Sequence, residues 1–167
     1  MKKLWKQKLS LKQNLQKRLP KLAGRYFKEG RQALTPGTSW EQMHAFRLQT
    51  KRFRYTLETF REFYGPGIET RIELLRKVQT FLGDINDCIV TSELVKDTEH
   101  GEEVRKKLAQ KADEKTKKLR EYWSKTFDAS LAEQRFTRYL VTYACRPSAG
   151  SLTSKLTPKS TSKLTSK

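Results

Sequence analysis

Apolar residues recur every three or four positions along most of this 167-residue chain. No segment shows the strict alternation of apolar and polar residues that a half-buried strand requires. Long amphipathic helices joined by short loops are typical of antiparallel bundles. The sequence therefore predicts an all-α fold, an antiparallel four-helix bundle. The clearest apolar face, at about 100° per residue, consists of Leu11, Leu15, Leu19, Leu22 and Tyr26.

Three short segments interrupt this periodicity: TPGTS at residues 35–39, GPG at residues 65–67 and DTEHGEE at residues 97–103. Ser39 followed by Gln42 is typical of a helix N-cap with its capping-box partner. Within the first helix, Pro20 should kink or split the chain, and the last helix should bend near Ala129. The predicted helices span residues 9–34, 40–64, 68–97 and 102–143.

The last segment, RPSAGSLTSKLTPKSTSKLTSK, contains neither aromatic nor acidic side chains. It cannot bury enough apolar surface to offset the entropy that ordering would cost. We therefore expect residues 1–145 to form one helical domain and residues 146–167 to form a disordered Lys/Ser/Thr-rich tail.

The chain carries 36 Lys and Arg against 18 Asp and Glu, a formal net charge of +18. The excess lies in the N-terminal part and the tail, because residues 67–145 are almost neutral. Such a charge favours an anionic partner: nucleic acid, an acidic membrane or a polyphosphate. No stretch approaches the ~20 apolar residues of a membrane span, and the N-terminus lacks the apolar run of a secretory signal. We expect a cytoplasmic protein with free thiols at Cys88 and Cys145 and no membrane partner.

Basic residues of the second predicted helix gather on one side. His44, Arg47, Lys51 and Arg54 fall within an arc of about 80°, along about 15 Å of helix. Like charges at these spacings destabilise an isolated helix, which favours a surface that holds a polyanion. The alternative is ordinary solvated helix surface, since Glu58 stands where it can pair with Arg54.

The first predicted helix repeats this arrangement, opposite its leucine face. If the two helices are neighbours, their basic strips could flank one groove, and two strips favour an anion site over solvated surface. No glycine-rich phosphate loop, activated nucleophile or metal-ligand spacing accompanies them, so we expect no catalysis, no metal and no cofactor. The strip on the first helix consists of Lys17, Lys21, Arg25 and Lys28.

Two spaced motifs carry a family resemblance. The pattern H-x-x-R-x-x-x-K-R-x-R-Y-x-x-E runs from His44 to Glu58, and Q-x-x-L-G-x-x-N-D runs from Gln79 to Asp87. Together they resemble the CHAD family (conserved histidine α-helical domain) over residues 44–90. The resemblance implies a helical domain that binds inorganic polyphosphate without catalysis, and a location at polyphosphate granules. The matching basic residues are His44, Arg47, Lys51, Arg52 and Arg54.

The second motif lies on the third predicted helix, where we expect structural roles. A glycine within a helix costs roughly 1 kcal/mol against alanine, so Gly83 should mark the close approach of a neighbouring helix. Asp84 and Asp87 should accept hydrogen bonds from arginines of the second helix. Gln79 and Asn86 fall within the apolar arc of the same helix.

CHAD-family members generally contain two motif-bearing bundles, whereas this chain has one motif, similar to the second copy. Either the half-unit suffices or two chains pair. We expect a weak homodimer at most, strengthened by long-chain polyphosphate, with Trp5, Trp40 and Trp123 as candidates for the contact. Nucleic acid is the alternative partner, although no readout motif is present and Tyr55 is the one base-stacking candidate on the basic side.

Overall fold

The computed structural model describes residues 8–145, which form five α-helices and one 3₁₀ turn, with no strand in that range. This confirms the predicted all-α bundle. The predicted tail at residues 146–167 and Trp5 lie outside the described residues. The elements are α1 (Leu11–Ala33), α2 (Trp40–Thr59), the 3₁₀ turn (Arg61–Phe63), α3 (Gly67–Leu94), α4 (Gly101–Thr126) and α5 (Ala132–Thr142).

The fourth predicted helix is divided into two. Where a bend was predicted near Ala129, α4 has already ended, and the chain turns before α5 begins. Leu131 adopts a left-handed backbone conformation with φ of 64°, which is costly for a side chain with a Cβ and breaks the helical path. The turn lets α5 pack along α1, where the Gln16 amide donates to the Val141 carbonyl at 3.0 Å.

Helix α1 continues through Pro20 without being split. Leu15 and Leu19 before the proline and Ala23 after it are fully buried. Burial of this apolar face on both sides of the proline offsets the backbone hydrogen bond that the ring removes. The expected split therefore does not occur.

Side chains bind the free backbone groups at the end of α1 and at the start of α2. Ser39 and Gln42 form the predicted capping box at the start of α2. At the other side of the loop, Arg120 of α4 donates from Nε to the Leu34 carbonyl at 2.8 Å and from Nη2 to the Thr35 carbonyl at 3.3 Å. A cation at a helix C-terminus satisfies its free carbonyls and complements its dipole. Helix α4 is thereby tied to the end of α1.

Trp123 of α4 stands at the centre of the core, although it was predicted as a candidate for an exposed dimer contact. It is 2% exposed, and it can lie so deep because Gly30 of α1 presents no side chain to its ring. Trp123 is buried and not exposed because the last turns of α4 face α1 and α2. Surrounding rings are those of Tyr26, Phe27, Phe46 and Phe127.

Helix α2 lies between α1 and α3, and α3 lies between α2 and α4. On one side of α2, Gln49 lines a cleft together with Glu29 of α1. On the other side, His44 meets Asn86 of α3. The basic strip of α2 therefore borders α3 and is turned away from α1. Within residues 8–145, none of the helices combines the length and the apolar character needed to cross a membrane.

Candidate anion-binding site

The His44 imidazole is positioned from two sides. Its Nδ1 lies 3.3 Å from Oδ1 of Asn86 on α3, and the Trp40 ring packs against it edge to face with centroids 5.6 Å apart. When Nδ1 carries the proton, it donates to the amide oxygen. Within the described residues, Nε2 has no hydrogen-bond partner, and in the imidazolium form its N–H can donate to an anionic ligand.

Arg54 fastens the other end of the strip to α3. Its Nε donates to Oε1 of Gln79 at 2.8 Å, its Nη1 forms an ion pair with Glu58, and its guanidinium carbon lies 4.5 Å from the centroid of the Tyr55 ring. The side chain is only 12% exposed. The charge of Arg54 is thus compensated, and we assign it a positioning role between the two helices.

Between these two ends, Arg47 and Lys51 carry uncompensated charge. Arg47 is half-buried, and its Nε is buried without a hydrogen-bond partner. None of the ion pairs among residues 8–145 involves Arg47 or Lys51. Buried polar groups without partners number only a few in a native protein. Arg47 therefore has donors that no described protein group uses.

Arg71, near the start of α3, is a second arginine with a buried Nε, but other protein groups contact its guanidinium. Its Nε is also buried without a partner, and burial lowers the pKa of its guanidinium. However, its Nη1 donates to the Gly67 carbonyl at 2.8 Å, and its guanidinium carbon lies 3.5 Å from the Tyr139 ring centroid. Arg71 is therefore held by stacking within the fold, whereas no described residue holds Arg47 in this way.

Asp84 of α3 is directed to α4 and not to the strip. Asp84, predicted to accept from an arginine of the second helix, instead pairs with Lys115 of α4 at 2.6 Å, and this hydrogen bond raises the pKa of Lys115. Asp87 accepts from the neighbouring Asn86 amide at 3.4 Å. Asp84 does not meet an arginine of α2 because it lies on the side of α3 that packs on α4. Repulsion of an anion at the strip is thereby reduced.

Gly83 also differs from the expectation of close helix packing. Among residues 8–145, no heavy atom lies within 4 Å of where its Cβ would stand. The glycines that permit close approach are instead Gly30, against Trp123, and Gly67, against the Tyr139 ring. The surface of α3 next to Gly83 is open.

The two predicted basic strips do not flank a common groove. Helix α1 meets α2 through residues such as Glu29 and Gln32, which line the α1–α2 cleft, while the basic strip of α2 borders α3. Arg52 is exposed but lies more than about 90° around α2 from the centre of the strip. The strip of α1 is exposed along its length on the face opposite the core: Lys17, Lys21, Arg25 and Lys28.

We use the term α2–α3 face for the surface that contains the strip and its partners on α3. Its partners Gln79 and Asn86 were predicted to be structural, but their pairing with Arg54 and His44 was missed. The sequence signal for this pairing was the presence of two polar residues, seven positions apart, on an otherwise apolar helix face. The α2–α3 face consists of His44, Arg47, Lys51, Arg54, Gln79, Gly83 and Asn86.

A larger depression, of about 640 Å³, lies between the end of α1 and the α4–α5 turn. Arg31, the one basic residue that lines it within residues 8–145, pairs with Asp128 at 3.2 Å and Glu133 at 2.7 Å, and the hydrogen bond that Arg31 donates to Glu133 raises the pKa of Arg31. This depression therefore offers no free positive charge. Within residues 8–145, no cluster of three or more His, Cys, Asp or Glu is arranged to hold a metal ion.

Comparison of the sequence with known proteins identifies its family. The sequence model of the CHAD domain matches residues 1–96. The chain belongs to the CHAD family. This CHAD match covers α1, α2 and α3 and hence the whole α2–α3 face, whereas α4 and α5 lie beyond it. The family is associated with polyphosphate binding in general. No curated protein and no solved structure gives a significant match.

Proposed function

We propose that this CHAD domain binds inorganic polyphosphate on the α2–α3 face. The observation that carries the proposal is the half-buried Arg47, whose guanidinium forms no hydrogen bond and no ion pair with any described residue. Phosphate oxygens would accept hydrogen bonds from this guanidinium and bring a negative charge beside it, and charge-assisted hydrogen bonds of this kind are strong.

The spacing of the open groups favours a linear polyanion over a single phosphate. His44, Arg47 and Lys51 extend along about 10 Å of α2 at 1.5 Å per residue. One phosphate group cannot contact all three at hydrogen-bond distance, whereas a chain of phosphates lying along the helix can. The residues that fix the ends of the strip, Asn86 and Gln79, would act by positioning His44 and Arg54.

We propose binding without cleavage. Hydrolysis of a phosphoanhydride needs a positioned base, nucleophile or metal near the scissile bond. Glu58, which forms an ion pair with Arg54 of the strip, also lies 3.7 Å from Arg76 Nη2, and Glu73 is paired with Arg76. These acids are therefore bound to cations and are poorly placed to activate water.

Single-stranded nucleic acid is the second candidate ligand, and one residue favours it. Tyr55 is 45% exposed and lies beside Arg54 and Lys51, whose Nζ is 5.8 Å from the ring centroid. An exposed aromatic ring among cations can stack a base. Polyphosphate has no bases, so the two ligands should depend differently on this ring.

Competition binding tests the proposal. Long-chain polyphosphate, single-stranded DNA and duplex DNA are titrated at matched phosphate concentration and salt. We expect polyphosphate to displace both DNAs, and Tyr55→Ala to leave polyphosphate affinity unchanged. Preferential binding of single-stranded DNA, lost in Tyr55→Ala, would instead identify a nucleic-acid-binding domain.

We also propose that the domain acts in the cytoplasm at polyphosphate granules. Cys88 and Cys145 are both free in the structure, which is consistent with a reducing compartment. A fluorescent fusion should coincide with stained granules, and Arg47→Glu with Lys51→Glu should disperse it. A diffuse signal for the unaltered protein in granule-containing cells would contradict this location.

A further inference from the structure

Gly83 occupies an unfavourable position that the fold itself does not explain. It lies well inside α3, where glycine is a poor helix former because it loses more backbone entropy than any other residue. Its φ is not positive, unlike that of Gly37 and Gly65, so no special backbone conformation calls for glycine. No atom in the described part of the chain would meet a Cβ at this position.

The position of Gly83 on α3 relates it to the anion-binding residues. Gln79, four residues before it, holds Arg54, and Asn86, three residues after it, holds His44. Residues at these spacings share one face of a helix. Because α2 and α3 are antiparallel neighbours held at these two points, Gly83 lies between them, alongside the part of α2 that carries Arg47 and Lys51.

We propose that Gly83 provides the clearance that lets a phosphate chain lie directly against the backbone of α3 while it contacts Arg47. This inference rests on the proposed function. Glycine is the residue that allows a backbone to approach a ligand closely. A side chain at position 83 would stand between the chain of phosphates and the strip, and it would displace the ligand from Arg47, although its Cβ would touch no described protein group.

Substitution of Gly83 should have opposite effects on stability and on binding. Gly83→Ala should raise the melting temperature by about 2–4 °C, since alanine is the better helix former and the space is open. Gly83→Leu should also fold normally. It should weaken binding of long-chain polyphosphate by at least about tenfold, the loss expected when one charge-assisted contact is removed, and Gly83→Ala should have a smaller effect of the same sign.

Gly24 of α1 provides a matched control. It too lies within a helix with no atom within 4 Å of a Cβ, but it borders the strip of α1. Gly24→Ala and Gly24→Leu should show the same stability change as their Gly83 counterparts and leave polyphosphate affinity unchanged. Binding is measured by titration calorimetry at fixed salt, beside melting temperatures for all four variants.

These measurements test the clearance role of Gly83 separately from polyphosphate binding itself. If the unaltered protein binds polyphosphate and Arg47→Glu weakens it, but Gly83→Leu binds normally, the clearance role is overturned and the function stands. If the Gly24 variants lose affinity as much as the Gly83 variants do, the clearance role is also overturned. Failure of the unaltered protein to bind polyphosphate would overturn the proposed function itself.

Discussion

At the scale of single residues, the position of the His44 ring depends on Asn86. The contact of 3.3 Å between Nδ1 and Oδ1 orients the ring and leaves Nε2 for the ligand. Asn86→Leu should therefore weaken polyphosphate binding by about fivefold, the value of one neutral hydrogen bond. In a His44→Ala background the same substitution should have no further effect. Additive losses, measured by calorimetry on the four proteins of this cycle, would show that Asn86 acts independently of His44.

A second residue-scale prediction concerns the buried phenol of Tyr26. Burial raises the pKa of Tyr26 well above its ordinary value, whereas in the unfolded chain it is about 10. The stability that comes from burying the neutral phenol is complete below that unfolded pKa. It is lost as the pH rises further, because the unfolded chain then releases a proton that the folded chain retains.

Tyr26→Phe should therefore reduce the fall in unfolding free energy above about pH 10. At neutral pH it should cost only about 0.5–1.5 kcal/mol, since Thr50 keeps its hydrogen bond to the Phe46 carbonyl at 2.9 Å. Urea denaturation at pH 7 and at alkaline pH provides the measurement, with Tyr55→Phe, which removes an exposed hydroxyl, as the control. An unchanged alkaline loss in Tyr26→Phe would contradict the account.

Helical periodicity identified which residues of α2 share a face, but it did not identify their partners. The arc that contains His44 and Arg54 follows from 100° per residue alone. Which carboxylate or amide each residue meets depends on the rotation of α3, and Asp84 turned to α4 because that side of α3 packs there. For the same reason the sequence could not show that Arg47 lacks a partner.

At the scale of helices, the contact of α1 with α4 depends on Gly30. A Cβ at this position would stand 2.9 Å from Phe46 Cζ and closer still to the Trp123 ring. Gly30→Ala should therefore destabilise the fold by about 1–3 kcal/mol through overpacking, although alanine is intrinsically favoured in helices by about 1 kcal/mol. Gly24→Ala, in open space on the same helix, should stabilise it. Equal changes in both variants by thermal denaturation would refute the role of Gly30.

The helix boundaries show where sequence patterns reach their limit. The loops at residues 35–39 and 65–67 contain Gly and Pro, and the helical path is interrupted at both as predicted, although α2 already ends at Thr59 and not at the predicted Tyr64. The break between α4 and α5 contains neither residue, and it arises because α5 folds back onto α1. Tertiary packing of this kind overrides local helix propensity, so a continuous fourth helix with a bend was the most that the sequence indicated.

At the scale of the whole molecule, self-association must overcome the repulsion between two chains of +18. Trp123 is buried and cannot supply an apolar contact, whereas Val90 and Leu94 on the same helix as Asn86 are 48% and 76% exposed. We expect a monomer or weak dimer alone, and a dimer with long-chain polyphosphate, because a shared polyanion cancels the repulsion. Light scattering with and without the ligand measures this. A strict one-to-one complex at high protein concentration would exclude it.

The central claim is that polyphosphate binds to the α2–α3 face and not to positive charge in general. Arg47→Glu with Lys51→Glu is compared with Lys117→Glu and Lys118→Glu, two exposed residues of α4, so that both variants have the same net charge. By calorimetry at fixed salt, with helical circular dichroism unchanged, we predict a loss of at least about 100-fold for the first pair, from two charge-assisted contacts. The second pair should lose no more than about threefold, as expected for screened surface charges. Equal losses in the two variants would contradict the account.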